Sequence, residues 1–111
     1  PVKLVLAHMG GWRCWAQVPE LLADTSALLD TAFSLGSLTP RDEALPLDRQ
    51  MLSDEAFVSL VRAFGAERIL FGSDCPWGSP QNDLQHIRRL PLSDEEKAAI
   101  LGGNAKRLLG I

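Results

Sequence analysis

The sequence predicts an α/β fold built on a short parallel sheet, and three observations predict it. Lys3-Leu4-Val5-Leu6-Ala7 is a short apolar run that stops at His8 and Gly10-Gly11. Arg68-Ile69-Leu70-Phe71 is another, stopping at Gly72-Ser73-Asp74. Between and after them, strand-length runs alternate with stretches of helical period, in the order β-α-β-α-β-α. Continuous apolar runs of this length read as parallel strands covered on both faces, and the alternation implies right-handed crossovers.

Each element has its own local reason. Lys3–Ala7 is the first strand, and a helical stretch around Trp15–Ala23 follows it. Pro19 suits a first-turn position, so the regular part of that helix is expected to begin there. Ala27–Thr31 is the second strand, with Leu28 and Leu29 buried and Asp30 at its end. A polar loop from Leu35 to Leu52 holds Pro40 and Pro46, and loops of that length are uncommon in compact domains unless they serve a function. Ser53 then caps a helix whose first turn carries Asp54 and Glu55, where the helix dipole favours acids. Phe57, Leu60, Val61 and Phe64 form its buried stripe, and Gly65 suits the position just past its end. Arg68–Phe71 is the third strand. After a Pro-Trp-Gly-Ser-Pro loop, Leu84, Ile87 and Leu90 mark a helix. Ser93 and Glu96, three apart, form a capping box for the next. Gly102-Gly103 breaks that helix, and Asn104 is placed to cap a last turn carrying Leu108 and Leu109.

Composition narrows the class. With 111 residues, 46% hydrophobic and 23% charged, the chain has room for one domain and a modest core. A net charge of −3 with dispersed basic residues argues against nucleic acid as a partner, and Arg88-Arg89 fits a solvated helix face. No apolar stretch approaches the ~20 residues needed to cross a bilayer, so no membrane partner is expected. Pro1-Val2 leads straight into a strand without an initiating methionine or a signal-peptide pattern, which predicts residues upstream. Cys14 and Cys75 make no framework and no CxxC pair, as in a reduced, cytoplasmic protein. Three parallel strands leave two open edges, whereas a closed eight-stranded barrel takes about 250 residues. The chain supplies less than half of one.

Strand ends are where the chemistry is expected. In parallel α/β folds the C-terminal ends of the strands share one rim, so His8 and Asp74 would meet there. A carboxylate in that place can ligate a divalent metal and accept a proton from water; a turn aspartate bonding to backbone ahead of Pro76 is the plainer alternative. His8 can ligate zinc, polarise a carbonyl or orient water, or it can be a satisfied core residue. Asp30 is a third rim residue, for which a structural hydrogen bond is the favoured role. Trp77, Trp12 and Trp15 lie in or near rim loops, as pocket lining or as ordinary packing. Cys75 is expected to be buried as a small apolar residue, and His86 to lie on the surface of its helix.

Four segments then occur together in order: Leu4-Val5-Leu6-Ala7-His8-Met9-Gly10-Gly11, Leu29-Asp30-Thr31, Arg68 to Trp77, and Gly103-Asn104-Ala105-Lys106-Arg107-Leu108-Leu109-Gly110. With them the whole chain resembles the C-terminal third to half of a metal-dependent hydrolase of the amidohydrolase superfamily. It is similar in particular to the amidohydrolase-2 branch, which includes aminocarboxymuconate-semialdehyde decarboxylase and related aromatic-acid decarboxylases. The resemblance implies a partial (β/α)8 TIM barrel, residues 1–111 supplying strands six to eight with their helices as a single C-terminal piece. It implies Asp74 as metal ligand and proton shuttle, and His8 as the strand-six histidine that ligates the metal or sits beside it. The divalent metal implied is zinc, and Trp77 and Trp12 would line a substrate pocket. The family's strand-one His-x-His pair and strand-five histidine have no counterpart here. The chain is therefore expected to be part of an enzyme rather than a working one, acting on a small-molecule substrate by hydrolysis or by non-oxidative decarboxylation. A non-catalytic half-barrel pairing its open edges, with room for a homo-oligomer, is the other reading.

Overall fold

The computed structural model describes residues 1–36 and 51–111. Three parallel strands, β1 (Val5–Leu6), β2 (Leu28–Asp30) and β3 (Ile69–Leu70), form one sheet in that order. Val5 pairs with Leu28 and Leu6 with Leu29; Leu29 pairs with Ile69 and Asp30 with Leu70. The predicted strands are thus present but shorter than the apolar runs that signal them.

This register sorts the side chains onto two faces, because successive residues of a strand point oppositely. Leu6, Leu29 and Ile69 lie on one face and join the core. Helix α1 (Val18–Leu22) brings Val18 to that core, and α2 (Asp54–Phe64) brings Phe57, Leu60, Val61 and Phe64. Ile87 of α3 (Pro80–Arg89) joins them, with Leu90, Leu92 and Ile100 beyond it. Val5, Leu28, Asp30 and Leu70 lie on the opposite face, where Leu28 and Asp30 are only half-buried. Cover on both faces was expected for the first strand and is not found: Leu4 is 54% and Val5 37% exposed. An apolar run signals burial in some assembly, and the described residues supply helices for one face alone.

Helix boundaries follow local chemistry. The Ala56 N–H donates to Ser53 Oγ at 3.1 Å, and α2 ends at Gly65 with φ +88°, a conformation that suits glycine. Pro19 lies in the first turn of α1. In α4 (Asp94–Ala98) both halves of the capping box form, Glu96 N–H to Ser93 Oγ at 3.1 Å and Ser93 N–H to Glu96 Oε2 at 2.8 Å. A π-helical turn, Ala99–Gly103, then leads into α5 (Asn104–Leu109). Asn104 was expected to cap this last helix. It is instead fully buried, its Nδ2 donating to the carbonyls of Ala66 and Ile69 at 2.7 Å each. An amide carries two donor hydrogens, and here they are used on the turn before β3 and on its first residue, while the buried Oδ1 accepts no hydrogen bond among the described residues. The polar loop expected from Leu35 to Leu52 lies for the most part outside the described residues; its base is closed by Leu52 N–H donating to Ser34 O at 2.9 Å.

Candidate active site

All three strands run the same way, so their C-terminal ends share a rim, and each continues into a residue with left-handed backbone. His8 (φ 57°) and Met9 (φ 52°) follow β1, Phe33 (φ 52°) follows β2, and Asp74 (φ 54°) follows β3. Such conformations cost a residue other than glycine on the order of 1–3 kcal/mol and persist only where the surroundings impose them. The rim is where this chain accepts that cost.

The surroundings of His8 are specific. Its Nδ1 lies 2.8 Å from the Ala32 carbonyl oxygen. A carbonyl only accepts, so Nδ1 carries the proton and the lone pair of the neutral ring is on Nε2. The His8 carbonyl accepts from Trp15 Nε1 at 2.8 Å, which holds the turn after β1. Phe33 and Trp12 pack edge-on to the imidazole, with ring centroids 5.9 and 6.5 Å away. Trp12 in turn lies tilted against Phe33 at 4.8 Å and edge-on to Trp15 at 5.5 Å. Sequence reasoning missed Phe33, because nothing local distinguishes a lone phenylalanine after a strand.

Asp74 sits in a tight turn, its carbonyl accepting from Trp77 N at 2.9 Å and Gly78 N at 3.2 Å, with a cis Cys75–Pro76 peptide between. Its carboxylate is exposed and accepts no hydrogen bond among the described residues. Trp77, in the same turn, is 62% exposed. Cys75 was expected to be buried and is exposed, because the turn points away from the core rather than back into it. Asp30 has the structural bond expected of it, Oδ1 accepting the Ala32 N–H at 2.7 Å. His86 is less of a surface residue than expected: its side chain is mostly covered and its Nε2 meets Asp54 Oδ1 at 2.6 Å, tying α3 to α2.

The structure therefore places His8 and Trp12 in one cluster and Asp74 and Trp77 in one turn. The two groups lie two strand spacings, or about 10 Å of backbone, apart, and no hydrogen bond joins them among the described residues. A cleft of about 390 Å³, lined by Lys3, Arg68, Asn104 and Arg107 among others, opens at the other end of the strands. It is on the wrong side for rim chemistry.

His8 fits a metal-ligand pattern, since a ligating histidine usually donates its second nitrogen to a carbonyl or carboxylate. Asp74 offers a second donor. No three His, Cys, Asp or Glu side chains converge among the described residues, whereas a zinc site takes about three protein ligands. The described donors are part of a shell and do not complete one.

The family profile Amidohydro_2, described as amidohydrolase, matches residues 1–111. The chain belongs to the amidohydrolase family. Among curated proteins no relative matches it. Solved structures do. A zinc-bound amidohydrolase from Burkholderia multivorans aligns with TM-score 0.72 and 25% identity, over 98% of this amidohydrolase chain and 44% of that protein. A provisionally named 2-pyrone-4,6-dicarboxylic acid hydrolase from Pseudomonas putida aligns with TM-score 0.66 and 22% identity, over 98% and 43%. A dihydroxybenzoic acid decarboxylase from Polaromonas sp. JS666, with manganese and 2-nitroresorcinol bound, gives 0.63 and 19%, over 97% and 33%. The amidohydrolase chain spans less than half the length of these solved relatives, and its three-stranded parallel sheet matches part of their fold. Among its described residues no helix is long and apolar enough to cross a membrane.

Proposed function

We propose that residues 1–111 form strands six to eight and the C-terminal rim of a metal-dependent hydrolase barrel acting on a small organic substrate. The observation that carries this reading is the pairing on one rim of His8, with Nε2 left available, and Asp74, with its carboxylate turned to solvent. A divalent metal, zinc in the first instance, would supply an acidified water. Asp74 takes a proton from the attacking water and returns it to the leaving group, a role worth 10²–10⁴-fold in rate for a positioned carboxylate. His8 orients the water or polarises the scissile carbonyl through Nε2. Trp12 and Trp77 border the space between them as substrate walls.

A second reading keeps the residues and changes the bond broken: non-oxidative decarboxylation of an aromatic or enoic acid. Its support is that several of the similar solved proteins are decarboxylases of hydroxylated benzoates. Fold does not choose between the two, because chemistry resides in the pocket.

The test is Asp74→Asn and Asp74→Ala in the full-length enzyme, assayed for lactone or amide hydrolysis and for carbon dioxide release. A fall of at least 10²-fold in whichever activity is present is expected. Turnover within a few-fold of native in both variants would remove Asp74 from the mechanism.

A further inference from the structure

Building on the roles proposed above for His8 and Asp74, we infer that the strand-end segment Asp30-Thr31-Ala32 is the positioning element of the rim, Asp30 for His8 and Thr31 for the Asp74 turn. Thr31 is buried, at 3% exposure. Its hydroxyl donates to Gly72 O at 2.9 Å and accepts from Gly72 N at 3.0 Å. A side chain thus makes the pair of bonds that main chain would make one step deeper in the sheet. Thr31 N–H donates to Leu70 O at 2.9 Å, so the residue holds β3 at two successive levels. Gly72 stands two residues before Asp74, and its place is tight: a Cβ there would lie 3.1 Å from Ala32 Cβ and 3.2 Å from Asp30 Oδ1.

The other branch begins one residue earlier. Asp30 Oδ1 accepts the Ala32 N–H at 2.7 Å, while the Ala32 carbonyl accepts from His8 Nδ1 at 2.8 Å and from Ser34 Oγ at 3.0 Å. Asp30 therefore fixes the residue whose carbonyl fixes the imidazole. The bond that sets which ring nitrogen of His8 is left free runs through Asp30, although Asp30 does not touch His8. The two branches leave adjacent residues and share no hydrogen bond, so they are separable. Asp30 and Thr31 are positioning residues: neither needs to meet substrate for the site to depend on it.

The separation is the test. In zinc-free full chain, nitrogen-15 NMR at one fixed pH reads the protonated ring nitrogen of His8, and amide exchange reads Gly72. Asp30→Ala should convert His8 from one tautomer to a mixture and leave Gly72 exchange within about twofold of native. Asp30→Asn keeps an acceptor oxygen and should restore the single tautomer. Thr31→Val should accelerate Gly72 exchange at least tenfold and move the Asp74 and Trp77 resonances, with His8 unchanged; Thr31→Ser should restore them. Both variants moving both readouts together, as general loosening would, overturns the inference, and so does neither moving. If Thr31→Val fails to fold, the native chain decides. A slowly exchanging Thr31 hydroxyl proton close to the Gly72 amide is required, and its absence overturns the Thr31 assignment. Full activity in Asp74→Ala full-length enzyme would defeat the proposed function and leave this pattern standing. Loss of the pattern with an inactive Asp74→Ala enzyme would defeat the positioning roles alone.

Discussion

The amide nitrogen of Asn104 lies 2.7 Å from the Ile69 carbonyl, a bond that pins the start of α5 beneath the start of β3. The same nitrogen reaches the Ala66 carbonyl at 2.7 Å, which also accepts from the Ile69 N–H, so one side chain ties the turn before β3 to its first residue. Asn104→Ala is expected to destabilise the chain by about 2–4 kcal/mol, since it removes two hydrogen bonds and leaves the buried Ile69 carbonyl in need of a partner. Asn104→Asp should cost at least as much, because a carboxylate cannot donate to either carbonyl. Urea unfolding midpoints measure both, and a loss under about 0.5 kcal/mol for either would show that water replaces the amide there.

Gly78 carries the turn that presents Asp74. A Cβ at this position would stand 2.0 Å from the Ser73 carbonyl oxygen, which is backbone and cannot swing aside. Gly78→Ala should therefore open the turn at a cost of about 1–3 kcal/mol. Trp77 emission should shift and, in full-length enzyme, turnover should fall together with it. An unchanged Trp77 spectrum would mean that the strain is absorbed elsewhere.

Two acidic groups should give opposite responses to pH. Burial between the rim loops pushes the Asp83 carboxyl above its ordinary value of 3.8, with His86 pulling the other way. The folded chain then binds that proton more tightly than the unfolded one, so stability falls as pH rises from about 3.8 through the raised value. Hydrogen bonds from the Arg62 guanidinium and then from the Ser93 backbone hold Glu96 below 4.5. Its contribution is present above 4.5 and is lost as pH falls through the depressed value. Asp83→Asn should accordingly raise stability at pH 7 and change little at pH 3. Glu96→Gln should lower it at pH 7 and converge with native in acid. Identical pH slopes in native and both variants would contradict the two assignments.

Zinc titration would test the proposed rim site directly. With two candidate donors, the chain should bind zinc weakly, and His8→Ala or Asp74→Ala should each weaken it by about tenfold or more. Calorimetry in the absence of other chelators reads the affinity. Binding unaffected by both substitutions would locate the ion elsewhere on the molecule.

Much of the fold was legible because its signals are local. Ser53, Ser93 and Glu96 act within one helical turn, and Gly65 responds to a backbone angle at its own position, so each could be read from its neighbours. The ends of β1 and β3 were equally plain, since an apolar run stopping at His8 or Asp74 needs no partner to be seen. What escaped depends on distant residues. Asn104 resembles a cap until Ala66 and Ile69 are brought beneath it. His86 resembles a surface residue until Asp54, 32 positions earlier, comes within 2.6 Å. Cys75 has the composition of a core residue, and only the direction of a turn places it outside. For the candidate site, His8 and Asp74 stand out by position at the strand ends, whereas Thr31 and Phe33 emerge only once the strand register sets them beside Gly72 and His8.

Arg68 has a consequence for how the molecule comes apart. Its guanidinium donates to Ala23 O at 2.7 Å and to Ala27 O at 2.9 and 2.7 Å, reaches Leu22 O at 3.4 Å, and lies 4.6 Å over the Phe64 ring. The five residues of α1 are too few to be stable alone, yet the carbonyls at and just beyond their last turn are gripped by a cation more than 40 positions downstream. Fraying of α1 cannot proceed without releasing that grip, which also spans α2 and the approach to β3. The amides of this one short helix should then exchange with solvent only when the whole unit opens, making α1 part of a single cooperative block rather than a loose end.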